Sequence, residues 1–185
     1  MNAAREEIRV SGILGLRIAE VAANAYYAPS AIYRYFGDRN GLLAAVLGEL
    51  YEEVLESRRA IILSRIPSEG PVSIDDIVHL VPSPSEMAAS DELRIRLQIL
   101  AVAATNPVLE QKISEIARRQ FSQMRSLLTR LRHRLPEGQP FDERVFTIMI
   151  VNQLLYYNTL LGEYAVDDDA YYAFLRDVAT GQQAT

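Results

Sequence analysis

The 185-residue chain contains no cysteine. That excludes a disulfide framework, a thiolate metal site and redox chemistry at sulfur, and it is compatible with a reducing compartment. Histidine is nearly as scarce. His79 and His133 are the only two, and neither lies in a metal-ligand spacing such as H-x-x-x-H. With no glycine-rich phosphate loop and no G-x-S-x-G elbow, nothing supports catalysis, so a non-enzyme without cofactor or metal is expected. A long apolar run is missing too: VFTIMIVNQLLYYNTLL, residues 145–161, is interrupted by Asn152, Gln153 and Asn158 short of the roughly 20 residues a membrane helix needs. The opening MNAAREEIRVSG is charged and has no apolar signal core. The expectation is therefore a cytoplasmic protein with no membrane partner. A basic excess is also absent, and the net charge of −5 speaks against a chain that coats nucleic acid over its whole surface.

What is present is unevenly distributed. Residues 1–48 hold five arginines against four acids, +1, and the remainder holds 14 basic against 20 acidic residues, −6. A slightly basic front stands before an acidic body. Apolar residues recur at helical spacing almost throughout, and no alternating run of strand length appears, so the chain reads as all-α. Three short helices are expected at about Ala4–Ser11, Ile18–Ala25 and Pro29–Phe36. Leu42, Leu43, Val46, Leu47, Leu50, Tyr51, Val54 and Leu55 then mark one long helix from about Arg39 to Arg65, ended by Pro67 and Gly70. Ser73 with Asp75 and Asp76 starts a short helix, which Pro82 and Pro84 stop. Further helices are expected from Ser85 or Asp91 to Thr105, from Pro107 to about RLPEGQP, from Asp142 to Tyr164, and from Asp169 to Ala179 behind VDDDA. That acidic run lacks the ligand spacing of an EF-hand and suits a helix N-terminus.

The second and third helices are only a few residues apart, and Val21, Ala22, Ala25, Ile32, Tyr33 and Phe36 can form their shared core. This is helix-turn-helix spacing. Pro29 at the first turn leaves Ser30, Ala31, Arg34 and Tyr35 outward, where hydroxyls and a guanidinium suit phosphates and base edges. EVAANAYYAPSAIYRYFGDRNGLL, residues 20–43, resembles the TetR-type repressor DNA-binding domain. Val21 and Ala22 stand for its Ile-Ala pair, Ile32, Tyr33 and Phe36 for its Leu-Tyr-x-x-Phe, Arg39 for its usual lysine, and Leu42 opens the connecting helix. Ile8 and Gly12 fit its first helix. Three positions depart from the pattern. Tyr26 replaces the turn glycine, Ala28 the capping serine, and Arg17 or Leu16 the threonine before the second helix. A tyrosine at positive φ costs roughly 1–2 kcal/mol and a lost cap about 1 kcal/mol.

The resemblance implies a TetR/AcrR-type transcriptional regulator: an N-terminal three-helix helix-turn-helix domain, residues 1–41, plus a larger helical ligand-binding and dimerisation domain, residues 42–185. It further implies a repressor that binds palindromic double-stranded operator DNA as a homodimer and is released by a small apolar or amphipathic effector. The alternative is a degenerate TetR-like helical dimer that binds ligand or partner but no longer DNA. The expected DNA-contacting residues are Arg17, Pro29, Ser30, Ala31, Tyr33, Arg34, Tyr35 and Arg39. Met87, Leu97, Leu100, Phe121, Met124, Phe146, Met149, Gln153 and Tyr156 are candidates to line the effector site. Tyr157, Leu160, Leu161, Tyr164, Tyr171, Phe174 and Leu175 are candidates for the dimer interface. Asn152, Gln153, Tyr156, Tyr157 and Asn158 interrupt an apolar helix and require partners, in a facing subunit or in a ligand. The arginine-rich run RRQFSQMRSLLTRLRHR, residues 118–134, reads as a solvated outer face opposite a stripe of Phe121, Met124, Leu127, Leu128 and Leu131 rather than as a second nucleic-acid or membrane site.

Overall fold

The computed structural model describes residues 1–142, 144 and 166–181, and every regular element among them is an α-helix. They are α1 (Asn2–Gly15), α2 (Ile18–Asn24), α3 (Pro29–Phe36), α4 (Arg39–Ser64), α5 (Ile74–Val78), α6 (Pro84–Ala88), α7 (Asp91–Ala103), α8 (Pro107–Arg132) and α9 (Asp168–Thr180). The expected helix from Asp142 to Tyr164 falls outside the described residues. The chain divides into two compact units: Met1–Glu56 with Arg94–Arg119, and Ser57–Leu93 with Gln120–Thr185.

In the first unit α1 is broken at Gly12, whose φ of 72° and ψ of 168° are not helical. The glycine permits the positive φ, so the unbroken part of α1 ends near Ser11, as the sequence suggests. Leu16, Ile18, Val21, Ala22 and Ile32 pack with Leu42, Leu43, Val46, Leu47 and Tyr51 of α4, and with Ile99, Ala103, Leu109, Ile113 and Ile116 of α7 and α8, as one buried cluster. The three short helices thus share a core with α4, α7 and α8, because none of the three is long enough to bury a face by itself. Gly41 lets α4 begin hard against α3. A Cβ there would lie 1.9 Å from the Phe36 carbonyl oxygen. Its N–H donates to Asp38 Oδ1 at 2.8 Å, which caps α4. Arg5 bridges α1 to Glu49 and Glu53 of α4 at 2.9 and 2.7 Å, an exposed pairing that adds little stability.

In the second unit Ile62, Val72, Ile77, Leu80, Leu127, Leu128 and Leu131 form one buried cluster, and Val78, Val81, Tyr171, Leu175 and Ala179 another. The stretch from Pro67 to Val72 is fastened by Arg134. Its guanidinium donates to the carbonyls of Pro67 (2.7 Å) and Gly70 (2.9 Å), and its own carbonyl accepts from the Val72 N–H at 3.0 Å. Of the two starts the sequence leaves open for the helix that ends near Thr105, Asp91 is the one that opens α7, and a separate short helix, α6, precedes it. Pro84, read as a stop for the helix before it, also opens α6, because proline fits the first turn and Ser83 with Glu86 completes a capping box before it. Asp167 caps α9 through the Ala170 N–H at 2.8 Å, as VDDDA suggests. The arginines at 118, 119, 125, 130 and 132 are exposed on α8 while Leu127, Leu128 and Leu131 are buried, the solvated-face pattern; Phe121 is exposed rather than part of the stripe.

Candidate nucleic-acid interface

The turn between α2 and α3 is built from backbone hydrogen bonds that leave a tyrosine in an unusual place. The Tyr27 N–H donates to the Ala22 carbonyl at 2.9 Å, and the Tyr26 N–H to that of Ala23 at 3.1 Å. This pair is the Schellman closure of a helix C-terminus, and it requires a left-handed residue after the cap, usually glycine. Tyr26 occupies that position with φ 59°, the only positive φ at a non-glycine among the described residues. Its side chain is 97% exposed, so no packing compensates the strain. The departure at Tyr26 is therefore a real local distortion, as the sequence comparison with the family pattern suggests.

α3 starts just beyond. Ala28 precedes it with extended φ and ψ and no side-chain cap, and Pro29 occupies its first turn. Ile32 is buried against α2 and α4, and Phe36 is half-buried on the same cluster. With those two turned inward, Ser30, Tyr33, Arg34 and Tyr35 are exposed, Pro29 is exposed beside them and Ala31 is half-exposed. The Arg34 guanidinium stacks 5.3 Å above the Tyr35 ring, which holds the charge outward at small entropic cost. Arg17 is exposed at the start of α2, another helix without a side-chain cap. Tyr27 is exposed too, so Tyr26, Tyr27, Tyr33 and Tyr35 present four rings within ten residues. Tyr26 and Tyr27 are absent from the sequence-derived contact set. The signal that could have found them is a pair of tyrosines, the first in place of the pattern's glycine, in a turn that no core needs.

Arg39 behaves differently from the other expected contacts. It is half-buried, its Nε donates to the Leu16 carbonyl at 3.0 Å, and its Nη2 donates to those of Leu14 (2.9 Å) and Ile13 (3.2 Å). Two of its three nitrogens are engaged in fixing the α1–α2 link to the start of α4. Asn106 makes a similar tie. Buried at the head of α8, it accepts from the Leu109 N–H at 3.2 Å and donates from Nδ2 to the Asn40 carbonyl at 3.1 Å. Between these two braces lies a half-open cleft of about 490 Å³, lined among others by Gly12, Leu43, Gln98, Val102 and Thr105.

The expected effector-lining residues are not brought together on that cleft. Met87 is fully buried, where its sulfur accepts from Arg58 Nη2 at 3.0 Å. Leu97 and Leu100 are half-buried on α7, Met124 is half-buried on α8, and Phe121 is exposed. Phe146, Met149, Gln153 and Tyr156 lie outside the described residues, as do Tyr157, Leu160, Leu161 and Tyr164 of the expected dimer face. Of the remaining dimer candidates, Tyr171 and Leu175 are buried within the chain and Phe174 is exposed. Burial pushes the Tyr171 hydroxyl up to about 12. His79 stacks on Tyr172 with ring centroids 4.1 Å apart, and the Tyr172 hydroxyl donates to the Val81 carbonyl at 3.1 Å. Among the described residues no group of acids and histidines could hold a metal ion, and no helix is long and apolar enough to cross a membrane.

Residues 1–46 match the family model for bacterial regulatory proteins of the tetR family. Over 112 residues the chain is 28% identical to the HTH-type transcriptional regulator CymR of Pseudomonas putida, covering 60% of this chain and 53% of that one. The chain thus spans about half the length of that curated relative. Among solved structures, a TetR-family transcriptional regulator from Mesorhizobium loti superposes with a TM-score of 0.61 at 18% identity, over 98% of this chain and 89% of the other. The transcriptional regulator FadR of Bacillus subtilis, in complex with stearoyl-CoA, superposes with a TM-score of 0.54 at 21% identity, over 99% and 97%. These two likenesses establish the fold: a helix-turn-helix at the front of a helical body.

Proposed function

We propose, from the match of residues 1–46 to the family model for bacterial regulatory proteins of the tetR family, that the chain is a cytoplasmic, ligand-responsive repressor that binds palindromic operator DNA as a homodimer. The reading head is residues 1–41 and the effector-binding and dimerising body is residues 42–185. The family is one of regulators, not enzymes. The observation that carries the reading is the outer face of α3: Ser30, Tyr33, Arg34 and Tyr35 are all exposed while Ile32 on the same helix is buried. In the major groove Arg34 and Ser30 reach base edges, Tyr33 and Tyr35 reach phosphates, and Arg17 meets the backbone from the start of α2. Tyr26 and Tyr27 add two hydroxyls on the approach to α3. Arg39 acts indirectly, by holding the α1–α2 link that carries Arg17.

One head of this size reads too few base pairs for tight, specific binding. A two-fold dimer that sets two copies of α3 about one DNA turn apart supplies both affinity and specificity. The effector is a small apolar or amphipathic molecule bound in the body; the stearoyl-CoA held by a fold neighbour is of that kind. It releases DNA only by binding the two head separations unequally. The rival reading, a helical dimer that binds ligand but not DNA, has the strained Tyr26 and the uncapped Ala28 in its favour. Selection from random duplexes with the full chain separates the two. Enrichment of a palindrome, bound with a steep salt dependence, is expected; no enriched palindrome and salt-independent retention of DNA would sink the repressor reading.

A further inference from the structure

α7 buries one side, on which Leu93, Ile99 and Ala103 recur at helical spacing. The remaining position of that apolar stripe, one turn after Leu93 and one turn before Ile99, is Arg96, and it is 8% exposed. Its Nε is buried with no hydrogen-bond partner, and no carboxylate or carbonyl among the described residues accepts from its guanidinium. Glu92, the acid one turn away on the same helix, instead accepts from the Ser57 hydroxyl at 3.1 Å. Other arginines that leave the surface among the described residues reach acceptors, although the Arg5 Nε, like that of Arg96, is without one. Arg39 and Arg134 donate to main-chain carbonyls, and Arg5 pairs with two glutamates. A guanidinium keeps its charge on burial, and an unpaired buried charge carries a large desolvation cost that a fold gains nothing by keeping.

We propose that Arg96 anchors the anionic head of the effector, an amphiphile that carries one oxyanion, carboxylate or phosphate, on an apolar body. The inference rests on the effector-binding reading above and narrows its ligand class. Oxyanions match the planar fork of a guanidinium with two parallel hydrogen bonds, and half-buried Leu97 and Leu100 on the same helix suit a hydrocarbon body. The ligand-free chain carries the unpaired charge, and an oxyanion offsets it, so a charged head gains more here than a neutral head of the same size.

The test is calorimetric titration of the full-length chain with dodecanoate, dodecyl phosphate and dodecanol, all below their micelle concentrations, for the native protein, Arg96→Lys and Arg96→Met. The native chain is expected to bind at least one of the anions roughly tenfold or more tightly than the alcohol, and the better anion identifies the head group. Arg96→Met removes that preference, leaves the alcohol's affinity unchanged, and melts without ligand at or above the native temperature. Arg96→Lys retains only part of the preference, since an ammonium lacks the fork. Equal binding of anions and alcohol by the native chain, or a preference that survives Arg96→Met, overturns the anchor while leaving the effector reading in place. Binding of none of the three overturns the amphipathic-effector reading and the anchor with it. A melting temperature lowered by many degrees in Arg96→Met shows Arg96 to be paired inside the chain and overturns the anchor alone.

Discussion

The two helices of the helix-turn-helix start without a side-chain cap, and all the later described helices start with one. Arg17 before α2 and Ala28 before α3 make no side-chain cap. From α4 onward each described helix has one: Asp38, Ser73, Ser83, Ser90, Asn106 and Asp167 accept from first-turn N–H groups of α4 to α9 in turn. A cap contributes about 1 kcal/mol, and Tyr26 at positive φ costs roughly 1–2 kcal/mol more. The helix-turn-helix is thus left locally under-stabilised where the described helices from α4 onward are not. At the first turn of α3 Pro29 has no N–H to offer and the Ala31 N–H donates to the Ala28 carbonyl at 2.9 Å, while Tyr26, Tyr27, Tyr33 and Tyr35 on and before that helix are exposed. Strain held at one exposed site, in a chain whose described helices from α4 onward are capped, is characteristic of a surface shaped for contact rather than for folding.

The largest effect expected of a substitution that tests this contrast is on DNA affinity, not stability. Arg34→Ala should weaken binding to the selected palindrome by about 1–3 kcal/mol, roughly 5- to 150-fold, and relax preference at one base pair per half-site. A fluorescence-anisotropy titration over variant duplexes reads both, and the melting temperature should stay within error of the native value. Next comes the capped side. Ser73→Ala removes the acceptor of the Asp76 N–H and one partner of the Asp76 carboxylate, so about 1 kcal/mol of stability should be lost. For a chain of this length that lowers the melting temperature by about 2–4 °C, with DNA affinity unchanged. Ala28→Ser supplies α3 with the missing cap and should raise stability by up to about 1 kcal/mol. A cap that leaves the melting temperature unmoved would mean that the first turn of α3 is already satisfied.

The smallest effect is with acid. The Asp76 carboxyl is held below the usual carboxylate range by the backbone N–H and hydroxyl of Ser73. The Asp168 carboxyl is held low chiefly by the Ser85 hydroxyl, to which it ties α9. Both folded-state values are lowered, so the stability they contribute is present above the ordinary aspartate range and is lost as pH falls through it towards the lowered values. Hydrogen exchange measured between pH 5 and pH 3 should show α5 and the start of α9 opening before the core of α2 and α3, which has no such pair among its described contacts.

Much of this was legible in the sequence. Pro29 and the Ile32, Tyr33, Phe36 spacing fix α3 to the residue, and Tyr26 announces a strained turn because only a left-handed residue can close a helix in that way. What was not legible is where a long polar side chain goes when several partners are within its reach. Arg39 reads as a phosphate contact, yet in the fold three carbonyls at the end of α1 lie within its span. Pro84 reads as a breaker because its neighbours, not the proline, decide whether a helix ends or begins there. Tyr171 and Leu175 have the apolar spacing of an interface, and the same spacing serves a core: they pack with Val78 and Val81.

Tyr26→Gly separates strain from DNA contact in one substitution, because its two readouts should move in opposite directions. Glycine takes φ 59° without strain, so the melting temperature should rise, by the equivalent of about 1 kcal/mol. The same change removes a ring and a hydroxyl from the approach to α3, so affinity for the selected palindrome should fall, measurably and to a similar extent for every sequence tested. A variant that gains stability and binds DNA as tightly as the native chain would leave the exposed tyrosine of this turn without a role in reading DNA.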